Sequence, residues 1–94
     1  MACYRNTSVQ SRVNNPRWMR NFWVWLSDNW GWMPESTILH TRTIIENSHD
    51  APDVGGNMRG EVISAAMQQL GALPEYPIRR VRTGAYAFLD NQDE

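Results

Sequence analysis

The chain of 94 residues contains no lysine; its nine basic residues are all arginine. It has one cysteine and two histidines, and no tryptophan outside a single window, residues 18 to 32. Each shortage excludes something. Cys3 alone cannot close an internal disulfide, and no CxxC or Cys/His spacing offers a structural metal. A chain this small buries only about two-thirds of its unfolded surface. Without a staple, its core must be densely filled or completed by a partner, a second copy in a homodimer being one solution. The longest strongly apolar stretch, Phe22 to Leu26, falls far short of the roughly 20 residues a membrane helix needs. The N-terminal residues lack the continuous apolar core of a signal peptide. A cytoplasmic, reducing setting with no membrane partner is the expectation, and there the sequon Asn6-Thr7-Ser8 carries no weight.

What is present is unevenly placed. Trp18, Trp23, Trp25, Trp30 and Trp32 crowd one segment, and each can bury about 150–250 Å². The net charge of −1 conceals a basic start (Arg5, Arg12, Arg17 and Arg20, with no acid among the first twenty residues), a second cluster at Arg79, Arg80 and Arg82, and an acidic end at Asp90, Asp93 and Glu94. Aromatic residues and arginine are enriched at the buried centres of interfaces, whereas lysine is depleted. The composition is that of a binder rather than an enzyme.

Residues 1–14 are polar and aperiodic and read as a mobile N-terminal arm, residues 15–89 as one small domain, and 90–94 as an acidic tail. Asn15-Pro16 is a helix start, with Asn as the cap and Pro at the first helical position. From Arg17 to about Asn29 the pattern is helical: Trp18, Phe22, Trp25 and Leu26 share a face that Met19, Trp23 and Trp30 widen, opposite Arg17, Arg20, Asn21, Ser27 and Asp28. Gly31 and Pro34 end it. Ser36 to Asn47 is ambiguous. Ser36 is a possible cap, but Thr37, Ile38, Thr41, Thr43, Ile44 and Ile45 are β-branched and favour strand; its place between two helices favours helix. Residues 48–57 are loop by composition. A helix then runs from Met58 to Leu70, capped by Asn57 or a neighbour, with Val62, Ile63, Ala66, Met67 and Leu70 inward and Gly71 as its stop. Ile78–Thr83 and Ala85–Leu89 form a hairpin across Thr83-Gly84.

Catalytic signals are poor. His49-Asp50 with Asp53 matches no metal motif and reads as a solvated turn. His40 reads as a surface or packing residue. Gly55-Gly56-Asn57 lacks the lysine and spacing of a nucleotide loop. There are no paired carboxylates on one helix face and no nucleophile with a base. The expectation is a non-enzymatic protein with no cofactor and no metal.

A helix followed by a basic hairpin is the layout of a winged helix, whose last helix enters the major groove while the wing touches the backbone. On that reading Arg59 and Gln68 join Arg79, Arg80 and Arg82 as the nucleic-acid residues, since Gln pairs with adenine and Arg with guanine. The near-neutral charge, the acidic tail and Glu61 stand against it. Val62 to Ala72 followed by Ile78 to Leu89 resembles the C-terminal winged-helix tail of phage and plasmid primase–helicase proteins: an apolar helix ending Leu-Gly, a basic strand, a Gly turn and an aromatic strand. Ala72 stands where that tail has an aromatic, and no ATPase motif is present, so helicase activity does not carry over. The resemblance implies a fold for this third of the chain and a role facing DNA or the replication machinery. In size and character the whole chain is similar to small accessory proteins encoded by phages.

The tryptophans divide in the same way. Trp18, Phe22 and Trp25 are expected inward, as the core. Trp23, Trp30 and Trp32 are expected to remain partly exposed and, with Arg79, Arg80 and Arg82, to anchor a partner; single-stranded nucleic acid stacking on exposed indoles is a further use. The expected fold is α+β and mostly helical: three helices and a C-terminal two-stranded hairpin, winged-helix-like. The expected function is that of a phage or mobile-element accessory protein that modulates a host or replication protein, with a DNA-binding winged-helix regulator as the alternative.

Overall fold

Two valines four residues apart anchor the first helix among the described residues. In the computed structural model, which describes residues 9–34, 36–52, 54 and 58–89, residues 9–13 are helical (α1). A spacing of four puts Val9 and Val13 on one face, and both are buried in the core. The mobile arm expected over residues 1–14 therefore does not reach residues 9–13. Polar neighbours masked a two-valine signal too short to register as periodicity. Residues 1–8 and the acidic tail 90–94 lie outside the described residues, as do Cys3, Arg5, Asp53 and the Gly55-Gly56-Asn57 run.

Asn15 and Pro16 start α2 (Pro16–Trp30) as their chemistry predicts. The Asn15 Oδ1 accepts hydrogen bonds from the backbone N–H groups of Arg17 (2.9 Å) and Trp18 (3.4 Å), satisfying donors that the first helical turn leaves unpaired. Trp18, Met19, Phe22 and Leu26 are its buried face, and its end is capped by the Gly31 N–H donating to the Ser27 carbonyl at 2.7 Å.

The ambiguous stretch 36–47 resolves into both alternatives. Leu39–His40 is a strand (β1), and Thr41–Glu46 a short helix (α3). The β-branched residues are split between them, and the switch falls at His40, still extended at φ −90° and ψ 141°. Helix α4 (Arg59–Ala72) buries Val62, Ile63, Ala66, Met67 and Leu70, the stripe its spacing requires. It does not stop at Gly71. A Cβ at Gly71 would sit 3.3 Å from Cε2 of Tyr86 and 3.7 Å from Cβ of Arg80. The missing side chain lets the sheet approach the last turn of the helix.

Strands β2 (Ile78–Arg82) and β3 (Ala85–Phe88) form the expected hairpin. Its turn uses Gly84 at φ 74°, a left-handed conformation that glycine adopts without steric cost. All three strands are antiparallel in the order β1-β3-β2, and the central β3 is buried along its whole length. Two helices, a strand, two helices and a hairpin, with the first strand added on the far side of β3, make a mostly helical α+β fold. Against the three helices and two strands expected, the described residues add α1 and β1. No helix among them is long and apolar enough to cross a membrane.

One core joins the buried faces of α1, α2 and α4 to Leu39, Ile44, Ile78, Tyr86 and Phe88. Phe22→Ala, at a fully buried site, is expected to cost about 3–5 kcal/mol, read as a lower urea midpoint at unchanged slope. On the same helix the exposed Val24 should tolerate Ala within about 0.5 kcal/mol.

Candidate nucleic-acid interface

Four of the five indoles are engaged in packing. Trp18 stacks on Phe22 at 5.2 Å and 13°, and its Nε1–H donates to the Pro52 carbonyl at 3.1 Å. Trp25 leans on Phe22 at 5.6 Å and donates its Nε1–H to the Asp50 carboxylate at 3.1 Å. Trp30 meets Trp25 edge-on at 5.5 Å and 82°. Trp23 packs on both Tyr76 (5.3 Å) and Phe88 (5.7 Å) at the base of the hairpin. Two of the three expected anchors, Trp23 and Trp30, are partly exposed as expected, and each also finds an aromatic partner within the chain. Trp32 differs: it is 74% exposed, and its Nε1–H turns back to the Asn29 carbonyl at 2.8 Å. Trp25, expected inward, is only half-buried, because its indole edge reaches out to Asp50.

Three arginines line β2 from its second residue to its last. Arg79, Arg80 and Arg82 are all exposed on β2. The ladder pairs Ile78 with Phe88, Arg79 with Ala87 and Arg80 with Tyr86; then Val81 is skipped, and Arg82 pairs with Ala85. Simple alternation puts Arg80 and Arg82 on one face. The extra residue at Val81 is a bulge, which moves Arg82 to the other face beside Arg79. Arg79 and Arg82 therefore stand opposite two buried alanines, Ala87 and Ala85, on the face away from Tyr86, and His40 pairs with Ala85 from the other edge. Arg80 stays on the side of Tyr86 and α4, and its Nη2 donates to the Thr83 hydroxyl at 3.1 Å.

β1 brings a fourth arginine that sequence reasoning missed. The Thr41 N–H donates to the Gly84 carbonyl at 3.0 Å, tying the start of α3 to the hairpin turn. Arg42 is exposed there. His40, Thr41, Arg42, Thr43 and Gly84 line an open cleft of about 400 Å³. No acidic residue occurs in 36–45 or in 76–89, the two segments that build this end. Among the described residues nothing hydrogen-bonds or ion-pairs with the side chains of Arg42, Arg79 or Arg82. Arg42 had one sequence signal, its acid-free neighbourhood, but nothing in the sequence placed it beside Gly84.

Compared with known proteins, the chain matches no family model, no curated protein and no solved structure. What it can do must be read from its own side chains.

The outer face of α4 is differently made. Glu61, Ser64, Ala65 and Gln68, with Ile45 and Gly60, line an open groove of about 600 Å³. Arg59, the one cation on the helix, aims its Nη1 at the Ser48 hydroxyl (3.5 Å), which itself donates to the Ile45 carbonyl at 2.7 Å. It braces the turn between α3 and α4. His49 and Asp50 are exposed, and no group of three or more His, Cys, Asp or Glu side chains gathers among the described residues.

Burial pushes the Tyr86 phenol above its usual pKa, and the neighbouring Arg80 guanidinium partly offsets this. A raised folded-state pKa stabilises the fold below the unfolded value and is lost as pH rises through the folded one. The domain should therefore lose stability above about pH 10. Denaturant titrations across that range should show the loss diminished in Tyr86→Phe.

Proposed function

We propose that this chain is a small, non-enzymatic DNA-binding protein that grips duplex DNA through its basic hairpin. The observation that carries this reading is the acid-free surface of β2 and the β1–α3 junction, which presents Arg42, Arg79, Arg80 and Arg82, three of them with no side-chain partner among the described residues. Guanidinium groups bind phosphate oxygens through paired N–H donors. The Thr41, Thr43 and Thr83 hydroxyls nearby are of the kind that adds backbone contacts. The winged-helix-like order of elements agrees with such a role, although a fold by itself does not establish one.

The exposed Trp32 favours a second reading. An indole left 74% exposed is the type of residue that anchors protein partners, and an accessory protein of phage character that modulates a host or replication protein would use it. Trp23 and Trp30, partly exposed but each packed on an aromatic neighbour, add less to that reading than Trp32. Arg79, Arg80 and Arg82 serve either partner, but guanidiniums clustered with no acid paired to them among the described residues match a polyanion better than a mixed protein surface.

Fluorescence anisotropy with a labelled duplex tests the first reading. Three or four phosphate contacts should weaken binding roughly 40- to 150-fold between about 50 and 200 mM salt. No binding at low salt, together with capture of a defined host protein that Trp32→Ala abolishes without unfolding, would reverse the order of the two readings.

A further inference from the structure

Resting on that DNA-binding reading, we infer that the duplex lies against one face of the sheet only, the face turned away from α4. There Arg79, Arg82 and His40 hold a stretch of its sugar–phosphate backbone, and Arg42 extends the grip past the hairpin turn. The fold leaves no insertion into a groove. β3 is buried along its whole length, with β1 on one edge and β2 on the other. The inner face carries Tyr86, whose ring packs over Gly71 in the last turn of α4. The Thr41–Gly84 hydrogen bond fastens the hairpin turn to α3. A major groove about 12 Å wide admits a helix or a two-stranded ribbon, not three strands backed by a helix. Such a body presents a broad face to DNA, and a broad face meets the backbone from outside.

The face away from α4 suits that contact. The bulge at Val81 turns Arg82 to the side of Arg79; regular alternation would have left it with Arg80. His40 and Arg82 both pair with Ala85, one from each edge. With neighbouring strands about 4.8 Å apart, their Cα atoms stand roughly 10 Å from each other. Arg79, Arg82 and His40 are exposed, whereas Ala85 and Ala87 between them are buried, so the long polar side chains make the contact. His40 also lines the cleft it shares with Thr41, Arg42, Thr43 and Gly84, which carries the polar surface on to Arg42. Among the described residues no side chain pairs with Arg42, Arg79 or Arg82. Arg80 is set apart: it stands on the side of Tyr86, and its Nη2 donates to the Thr83 hydroxyl at 3.1 Å. Backbone contacts carry no base information. Tyr86 and Phe88 are buried on the inner face, so they offer unpaired bases nothing to stack on.

Anisotropy titrations of the full chain would use four unrelated duplexes and one single strand, with circular dichroism to verify the folding of each variant. Affinities should agree within about threefold among the duplexes, since phosphates are alike in all of them, and be weaker for the single strand. Arg79→Gln and Arg82→Gln should each reduce the salt slope by about 0.9, and Arg80→Gln by less than about half of that. Phenylglyoxal labelling of the unsubstituted protein, mapped by mass spectrometry, needs no variant: bound duplex should shield Arg42, Arg79 and Arg82 more than Arg80. Equal slope losses from Arg80→Gln and Arg82→Gln, or equal shielding of Arg80 and Arg82, would overturn the one-faced contact and leave DNA binding standing. So would a preference of about a hundredfold for one duplex that Gln68→Ala erases, which requires base contacts from α4. Absence of binding to any duplex at low salt would instead sink the underlying reading, and this inference with it.

Discussion

Everything in this small body hangs on the aromatic face of α2. A core of this size cannot rely on area alone, and it has no cross-link among its described residues. The indoles compensate by combining large area with a directed N–H. Trp18 and Trp25 donate to Pro52 and Asp50, so two hydrogen bonds hold one irregular loop against the helix, and Val54 is buried just beyond it. Trp23 performs a third task, seating Tyr76 and Phe88 at the root of the hairpin. One helix thereby positions the loop before α4 and the strands after it. The density of tryptophan is a structural device first.

The arginines settle instead on the exposed positions of β2 and at the start of α3. The net charge of −1 argues against long-range attraction to a polyanion. Yet in about 0.1 M salt the Debye length is near 10 Å, so the charge within one patch outweighs the sum over the molecule. Four arginines in two acid-free segments form such a patch; the register of β1 on β3 and the Thr41–Gly84 hydrogen bond bring those segments together. α4, by contrast, spends its apolar residues on the core and retains little on its outer face with which to read bases.

Much of the fold was legible in advance. Asn15-Pro16 sets the start of α2 because the cap and the fixed φ of proline act locally. The α4 stripe and the Thr83-Gly84 turn are local in the same sense, since periodicity and a left-handed glycine need no distant partner. Residues 9–13 were misread because two valines do not make a period. Gly71 was misread as a stop because a glycine near a helix end has two uses, and only the Tyr86 ring packed over it distinguishes them. The candidate site was legible in part: Arg79, Arg80 and Arg82 were visible as a cluster, Arg42 was not.

By itself the sequence determined the elements whose signals lie within a few residues: the capped α2, the buried stripe of α4, the basic hairpin and the abundance of aromatic surface. Only the tertiary structure decided which indoles are consumed by packing, since Trp23 meets Tyr76 and Phe88 from a distant hairpin and Trp32 meets no such partner. It also decided the faces of the arginines and the company of Arg42. A one-residue bulge inverts side-chain direction, and strand pairing joins segments more than forty positions apart; both are settled by hydrogen-bond register between distant strands, which no local pattern encodes.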